Sequence, residues 1–207
     1  YDIVFGDWSS GVCSSDLGLG LSYGLEAAAS WIRRVESRGF GTGVHGIAFD
    51  DAEGIRRERE RFRTVSARAD FGIRMHYLRR SPKTSELLAS AGYAYDATPY
   101  MSGNPWLVSG MPVFPLHIMD GRFLETGRFG LLVPDRQDAL ERAKSAIERE
   151  ERKGTEYFSI LFHDRYFSDE FQTWKWWYEE VTEHLRRTGH EFVDYEEARS
   201  ALLKAAG

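Results

Sequence analysis

Three short segments carry the residue types that could do chemistry. Gly43-Val44-His45-Gly46 sets an imidazole among small neighbours, which leaves room beside the ring for a metal ion or a substrate. Phe49-Asp50-Asp51 follows, and a carboxylate a few residues from a histidine can complete a divalent-metal site. The plainer alternatives are a core imidazole bonded to a carbonyl and a pair of helix-capping aspartates. Gly72-Ile73-Arg74-Met75-His76-Tyr77-Leu78-Arg79 alternates apolar and polar positions, so Arg74 and His76 share one face of a strand. A guanidinium there is costly unless it meets an anion or acid, and it can hold a catalytic carboxylate ionised and oriented. A purely structural salt bridge is the competing reading. Tyr157-Phe158-Ser159-Ile160-Leu161-Phe162-His163-Asp164 is an apolar strand that ends in an imidazole. His163 is placed there to act as a general acid or base, with Asp164 beside it to tune it. A solvated loop histidine is the alternative. His117 and Asp120, in Pro115-Leu116-His117-Ile118-Met119-Asp120, could border a substrate cleft. His184 and His190 sit among charged residues and are expected in solvent.

The elements that must position these groups alternate between helix and strand. Leu25–Glu36 has Leu25, Ala28, Ile32 and Val35 at helical spacing, and Gly39 ends it. Val44–Phe49 is a short strand. Asp50 or Asp51 caps a helix over Ala52–Ser66, whose charge run reads as a solvated face behind Ile55, Phe62 and Val65. Phe71–Leu78 is a strand, and Thr84 caps a short helix closed by Gly92. Residues 93–134 are irregular, with Val113–Met119 as a candidate strand among prolines. Asp135 caps a long helix running to about Lys153. The strand Tyr157–Phe162, an aromatic helix opened by Ser168 or Asp169, the strand Glu191–Val193 and the helix Tyr195–Ala206 complete the chain. In the aromatic helix Phe171, Trp174, Trp177, Tyr178, Val181 and Leu185 form one stripe, which reads as core, and Trp176 falls off it. This alternation predicts an α/β fold with a parallel sheet or barrel, in which ligand groups sit where strands end.

Composition narrows the function class. The chain has 207 residues, 42% apolar and 14% aromatic, which suits one globular domain. A net charge of −5 argues against a general nucleic-acid binder. No apolar run reaches the roughly 18 residues of a membrane span, and no signal-peptide pattern opens the sequence. A single cysteine excludes an intrachain disulfide framework. These features fit a cytoplasmic protein.

The first 17 residues read as foreign. Asp7-Trp8-Ser9-Ser10-Gly11-Val12-Cys13-Ser14-Ser15-Asp16-Leu17 matches the translation of a widely used short-read sequencing adapter at every position but Gly11. Residues 1–17 are therefore expected to be non-native, and 18–207 to be a domain incomplete at its N-terminus. Resequencing the gene with long reads tests this.

In this order the segments resemble the polysaccharide-deacetylase family, the NodB-like carbohydrate esterases. Val44-His45-Gly46 is similar to the family's histidine metal motif, and Gly72 through Arg79 to its arginine motif. Ala91-Gly92-Tyr93-Ala94-Tyr95-Asp96-Ala97-Thr98 resembles the tyrosine-aspartate segment that follows, and Ile160-Leu161-Phe162-His163 the late histidine motif. The resemblance implies an irregular (β/α) barrel, its first strands missing here, and metal-dependent hydrolysis of an N-acetyl group on a sugar or polysaccharide. It implies His45 and Asp50 as ligands of a divalent metal, zinc by preference. Arg74 would hold the catalytic aspartate, and His163 would protonate the departing amine. His76, Tyr77, Arg79, Asp96 and Asp120 would contact the carbohydrate.

Two departures qualify it. The family's opening strand with paired aspartates is not read before Leu25, and Asp50-Asp51 follows the histidine motif rather than preceding it. Phe49 stands where many relatives carry a second histidine. The chain as given is therefore expected to be inactive, whatever its parent does. A carbohydrate-binding relative without catalysis, or another metal-assisted C–N amide hydrolase, are the competing readings.

Overall fold

The computed structural model describes residues 2–5, 25–125 and 135–206. The adapter-like segment falls outside the described residues. In chain order the elements are β1 (Asp2–Phe5), α1 (Leu25–Glu36), β2 (Val44–Gly46), α2 (Ala52–Val65), β3 (Ile73–Met75) and α3 (Thr84–Ala91). They continue with β4 (Trp106–Val108), β5 (Met111–Val113), β6 (Ile118–Met119), α4 (Asp120–Leu124) and α5 (Arg136–Arg152). The last are β7 (Tyr157–Leu161), α6 (Gln172–Arg187), β8 (Glu191–Asp194) and α7 (Tyr195–Ala206). The fold is mixed α/β, as the alternation predicts. Among the described residues the strands do not close into a barrel; they form a four-stranded sheet and two pairs.

The chain divides into two compact units. The described residues of one are 2–5, 101–104, 116–125 and 135–193. Its sheet has the order β6-β7-β1-β8, with β6 and β1 both parallel to β7. Its core joins Phe158 and Ile160 of β7 to Leu140, Ala143 and Ile147 of α5 and to Trp177, Val181 and Leu185 of α6. The aromatic stripe of α6 is thus core, as its spacing predicts. Asp135 caps α5 by accepting from the Gln137 N–H at 2.8 Å.

Strand β1, which the sequence reading did not include among the elements, does not end in paired aspartates. It is four residues long, too short to show a period of its own, and its identity comes from pairing Asp2, Ile3 and Val4 with Tyr157, Phe158 and Ser159. His190 is corrected: it is buried, with Nε2 3.3 Å from Glu151.

Glu150 ties the end of α5 to the turn at 102–103. Its carboxylate accepts from the Ser102 hydroxyl at 2.7 Å, the Thr155 hydroxyl at 3.1 Å, the Gly103 N–H at 3.2 Å and Lys153 Nζ at 3.0 Å. Burial alone would raise its pKa, but these donors outweigh burial and bring it down to about 2. A depressed carboxyl stabilises the fold above its unfolded value and loses that contribution as pH falls toward the folded one. Glu150→Gln is therefore expected to lower stability by about 1–3 kcal/mol at pH 7. The gap from the parent should narrow in urea melts between pH 4.5 and about 2. A gap independent of pH would show that the carboxylate is not the source.

The described residues of the second unit are 25–100, 105–115 and 194–206. Strands β2 and β3 are parallel, in a register that pairs His45 with Arg74. Strands β4 and β5 form a hairpin. Asp96 bridges Ile73 on one side and Val113 on the other, linking the two pairs. The hairpin was not read from the sequence; its signal was Ser109-Gly110, both at positive φ, as a tight two-residue hairpin turn requires. The core of this unit packs Ile55, Phe62 and Val65 of α2 against Phe71, Ile73 and Met75 and against Leu88 of α3. Asp51, rather than Asp50, caps α2.

Candidate active site

In the second unit the sequence places a histidine on β2 and an arginine on β3, and the register sets them side by side. Strand β3 is shorter than the alternating pattern suggests. It ends at Met75, and a single helical turn over His76–Leu78 follows. Tyr77 at φ 55° and Leu78 at φ 53° are both left-handed, a conformation that costs a non-glycine residue about 1–3 kcal/mol and is often found at ligand-binding turns.

This turn tucks the His76 ring into the interior and leaves Tyr77 61% exposed. The His76 ring lies 4.0 Å from the Tyr77 ring and 5.1 Å from the His45 ring, centre to centre, the last pair edge-to-face at 74°. His45 is half-buried. Arg79 is exposed and places its guanidinium 5.3 Å from the centre of the Phe49 ring. Of the predicted site residues, this unit therefore brings together His45, His76 and Tyr77. Asp50 lies exposed at the turn before α2. Among the described residues no three His, Cys, Asp or Glu side chains are grouped as a metal site requires. The two neighbouring imidazoles fit part of a ligand set.

Arg74 is 2% exposed. Its Nε–H donates to the Ala97 carbonyl at 2.9 Å and its Nη2–H to the Tyr195 hydroxyl at 2.7 Å. Tyr195 in turn stacks on Tyr95 at 4.8 Å. Asp96 is 1% exposed and accepts from the Ser85 hydroxyl at 2.8 Å and the Thr98 N–H at 2.9 Å. Burial raises its carboxyl against these hydrogen bonds and the Arg80 charge. Asp96 thus works as a joint between β3 and β5, with both carboxyl oxygens engaged by protein.

One group went unread. Glu58 was assigned to the solvated face of α2, yet its carboxylate reaches the chain just after His45-Gly46. It accepts from the Ile47 N–H at 3.1 and 3.2 Å and from the Ala48 N–H at 3.2 Å. Burial raises its carboxyl against those bonds. A helix residue that folds back onto a loop has no periodic signature, and Glu58 stands among the other charged residues of α2, Glu53 and Glu60 included.

In the first unit His163 follows β7 and pairs with Asp120 at the start of α4. Its Nδ1 lies 2.8 Å from Asp120 Oδ1, and its backbone N–H donates to Oδ2 at 2.7 Å. The Gly121 N–H donates to Oδ1 at 2.6 Å. The Asp120 side chain is 0% exposed and that of His163 39%. Facing a carboxylate, Nδ1 carries the proton, which leaves Nε2 to give or take one. The partner expected from the sequence was Asp164; that residue is instead exposed, at the start of a helical turn. Tyr166 flanks the pair, its ring 5.9 Å from the imidazole and its hydroxyl donating to Glu125 at 2.8 Å.

His117 does not border a cleft. It is buried, accepts the Ser159 N–H at Nδ1 (3.1 Å) and places Nε2 3.0 Å from the Gly103 carbonyl. Burial lowers its pKa, which favours the neutral ring this arrangement needs.

No protein-family model and no curated protein matches the sequence. Solved structures do. A structure from Mycobacterium smegmatis assigned as a polysaccharide deacetylase aligns with a TM-score of 0.67 and 17% identity over 86% of this chain and 68% of its own. The Puue allantoinase aligns with a TM-score of 0.63 and 18% identity over 84% of this chain and 62% of its own. A structure from Pseudomonas aeruginosa PAO1 assigned as a polysaccharide deacetylase gives 0.60 and 16%, over 83% and 62%. The chain therefore has the fold that these deacetylase and allantoinase structures share. It spans about two thirds of the length of each.

Proposed function

We propose that this domain belongs to a metal-dependent hydrolase that removes N-acetyl groups from a sugar or polysaccharide. The observation that carries the reading is the Asp120–His163 pair, a buried carboxylate bonded to a half-exposed imidazole at a strand end. Such a pair is a proton donor awaiting a leaving group. Asp120 fixes the ring and stabilises the imidazolium, and Nε2 delivers the proton to the departing amine nitrogen. His45 serves as a ligand for a divalent metal, zinc by preference, which when bound would polarise the acetyl carbonyl and lower the pKa of water. Arg74 anchors Tyr195 and the Ala97 carbonyl, which keeps β3 in register beside His45. The exposed Tyr77 ring offers a sugar a flat apolar face.

A second reading, hydrolysis of a different C–N amide bond, is favoured by the likeness to an allantoinase structure. Both are tested on the protein expressed from the resequenced gene, supplied with zinc or cobalt. Acetate release from an N-acetylated oligosaccharide is expected, with no action on allantoin. Turnover of allantoin alone selects the second reading, and turnover of neither overturns both. The 207-residue chain run beside it is expected to be silent, since its one pair of adjacent aspartates, Asp50-Asp51, follows His45 rather than preceding it.

A further inference from the structure

We propose that His76 supplies a second imidazole ligand to the divalent cation held by His45, taking the place of the histidine that position 49 lacks. The proposal rests on the metal-dependent reading above. Phe49 offers no donor atom, and its ring is instead covered by the Arg79 guanidinium. The replacement comes from the turn that follows the neighbouring strand rather than from the same segment.

Strand register makes the meeting possible. His45 is paired with Arg74 in a parallel ladder. Side chains alternate along a strand, so His76, two residues beyond Arg74, emerges on the face that His45 occupies. Gly46, the next residue, packs closely on the opposite face, where a Cβ would meet Ile73 Cδ1 at 2.8 Å and Met75 Sδ at 2.9 Å, and this holds β2 tight against β3. The left-handed Tyr77 and Leu78 then end the strand abruptly and turn His76 inward, where it is 2% exposed.

The spacing suits a shared ion. Zinc binds imidazole nitrogen at about 2.0–2.1 Å, and two such rings at a tetrahedral angle have centres about 5 Å apart. The observed separation is 5.1 Å, with the planes 74° apart.

The test is cobalt(II) and zinc binding by the protein from the resequenced gene, its His45→Ala and His76→Ala variants, and its Phe49→Leu variant as a control. Binding is read by calorimetry and by the cobalt visible spectrum, without substrate. Each histidine variant is expected to weaken binding by more than about 100-fold, beyond what loss of an outer-sphere partner causes. Phe49→Leu should bind as the parent does. A His76→Ala variant that binds normally, while His45→Ala does not, overturns this inference and leaves the hydrolase reading intact. No metal uptake by the parent overturns both. Long-range proton–nitrogen spectra of the unmutated protein decide the case even where a variant fails to fold. Zinc should shift a ring nitrogen of both histidines, and a shift confined to His45 refutes the assignment.

Discussion

Replacing His163 with alanine is expected to lower turnover by about 10²- to 10⁴-fold, the range lost with a general acid or base. Metal content should stay unchanged, because in this reading His163 moves a proton and does not hold the metal. The variant removes the ring from a carboxylate that keeps its two backbone donors, since the N–H groups of residue 163 and Gly121 still serve Asp120. The buried charge is thus not stranded, and the fold should tolerate the change. Asp120→Asn should lower turnover as well while leaving Nε2 in place, because an amide can donate to Nδ1 and reverse the tautomer. Free imidazole added to the alanine variant should recover part of the rate. Parental turnover in His163→Ala would remove the proton-donor role and with it the main support for catalysis.

Helices were legible where periodicity ran for several turns. Leu25–Glu36 and Tyr195–Ala206 have the bounds their apolar spacing predicts. Strand ends were not legible. Val44–Phe49 reads as a strand among glycines and Phe71–Leu78 as one from its alternation, yet pairing stops at Gly46 and Met75. Backbone torsion at Tyr77 makes the difference at β3, and a tyrosine gives no sign that it will take a positive φ. The aromatic helix was read from Ser168 or Asp169 but starts at Gln172, after a tighter turn over Asp169–Phe171.

The site divides along the same line. His163 and His45 were visible because each sits at an abrupt change of local composition. Their partners were not. Asp120 lies 43 residues from His163, on a five-residue helix too short to read, and was assigned to carbohydrate contact. Asp164, adjacent in sequence, was preferred on proximity alone. His76 was placed on the correct strand face, but its nearness to His45 depends on a ladder register that no single sequence shows. Local chemistry was therefore readable and long-range pairing was not.

The largest expected loss of stability follows from one glycine on that same ladder. A Cβ built on Gly72 would lie 2.0 Å from Tyr95 Cε2 and 2.3 Å from Cδ2 and Cζ. Neither side can retreat easily. The strand is held by the Val44 N–H, which donates to the Gly72 carbonyl at 3.0 Å, and by the Ile73 N–H, which donates to Tyr95 at 3.1 Å. The Tyr95 ring is 3% exposed and stacked on Tyr195, whose hydroxyl accepts from Arg74. A methyl group at 72 must therefore push the whole series from Tyr95 through Tyr195 to Arg74, or part β3 from β2. Overpacking of a filled core costs about 1–3 kcal/mol and more where the backbone is pinned, so Gly72→Ala should lose at least about 3 kcal/mol in urea unfolding. Gly41→Ala is the control, since its nearest heavy atom, Arg68 Nη1, is 3.8 Å away. It should stay within about 0.5 kcal/mol of the parent. The two variants differ from the parent by the same methyl group, so equal stability of both would mean that the ring of Tyr95 does not occupy that space. A Gly72→Ala protein that folds should also bind metal more weakly than the parent, because the displaced strand is the one that presents His76 to His45.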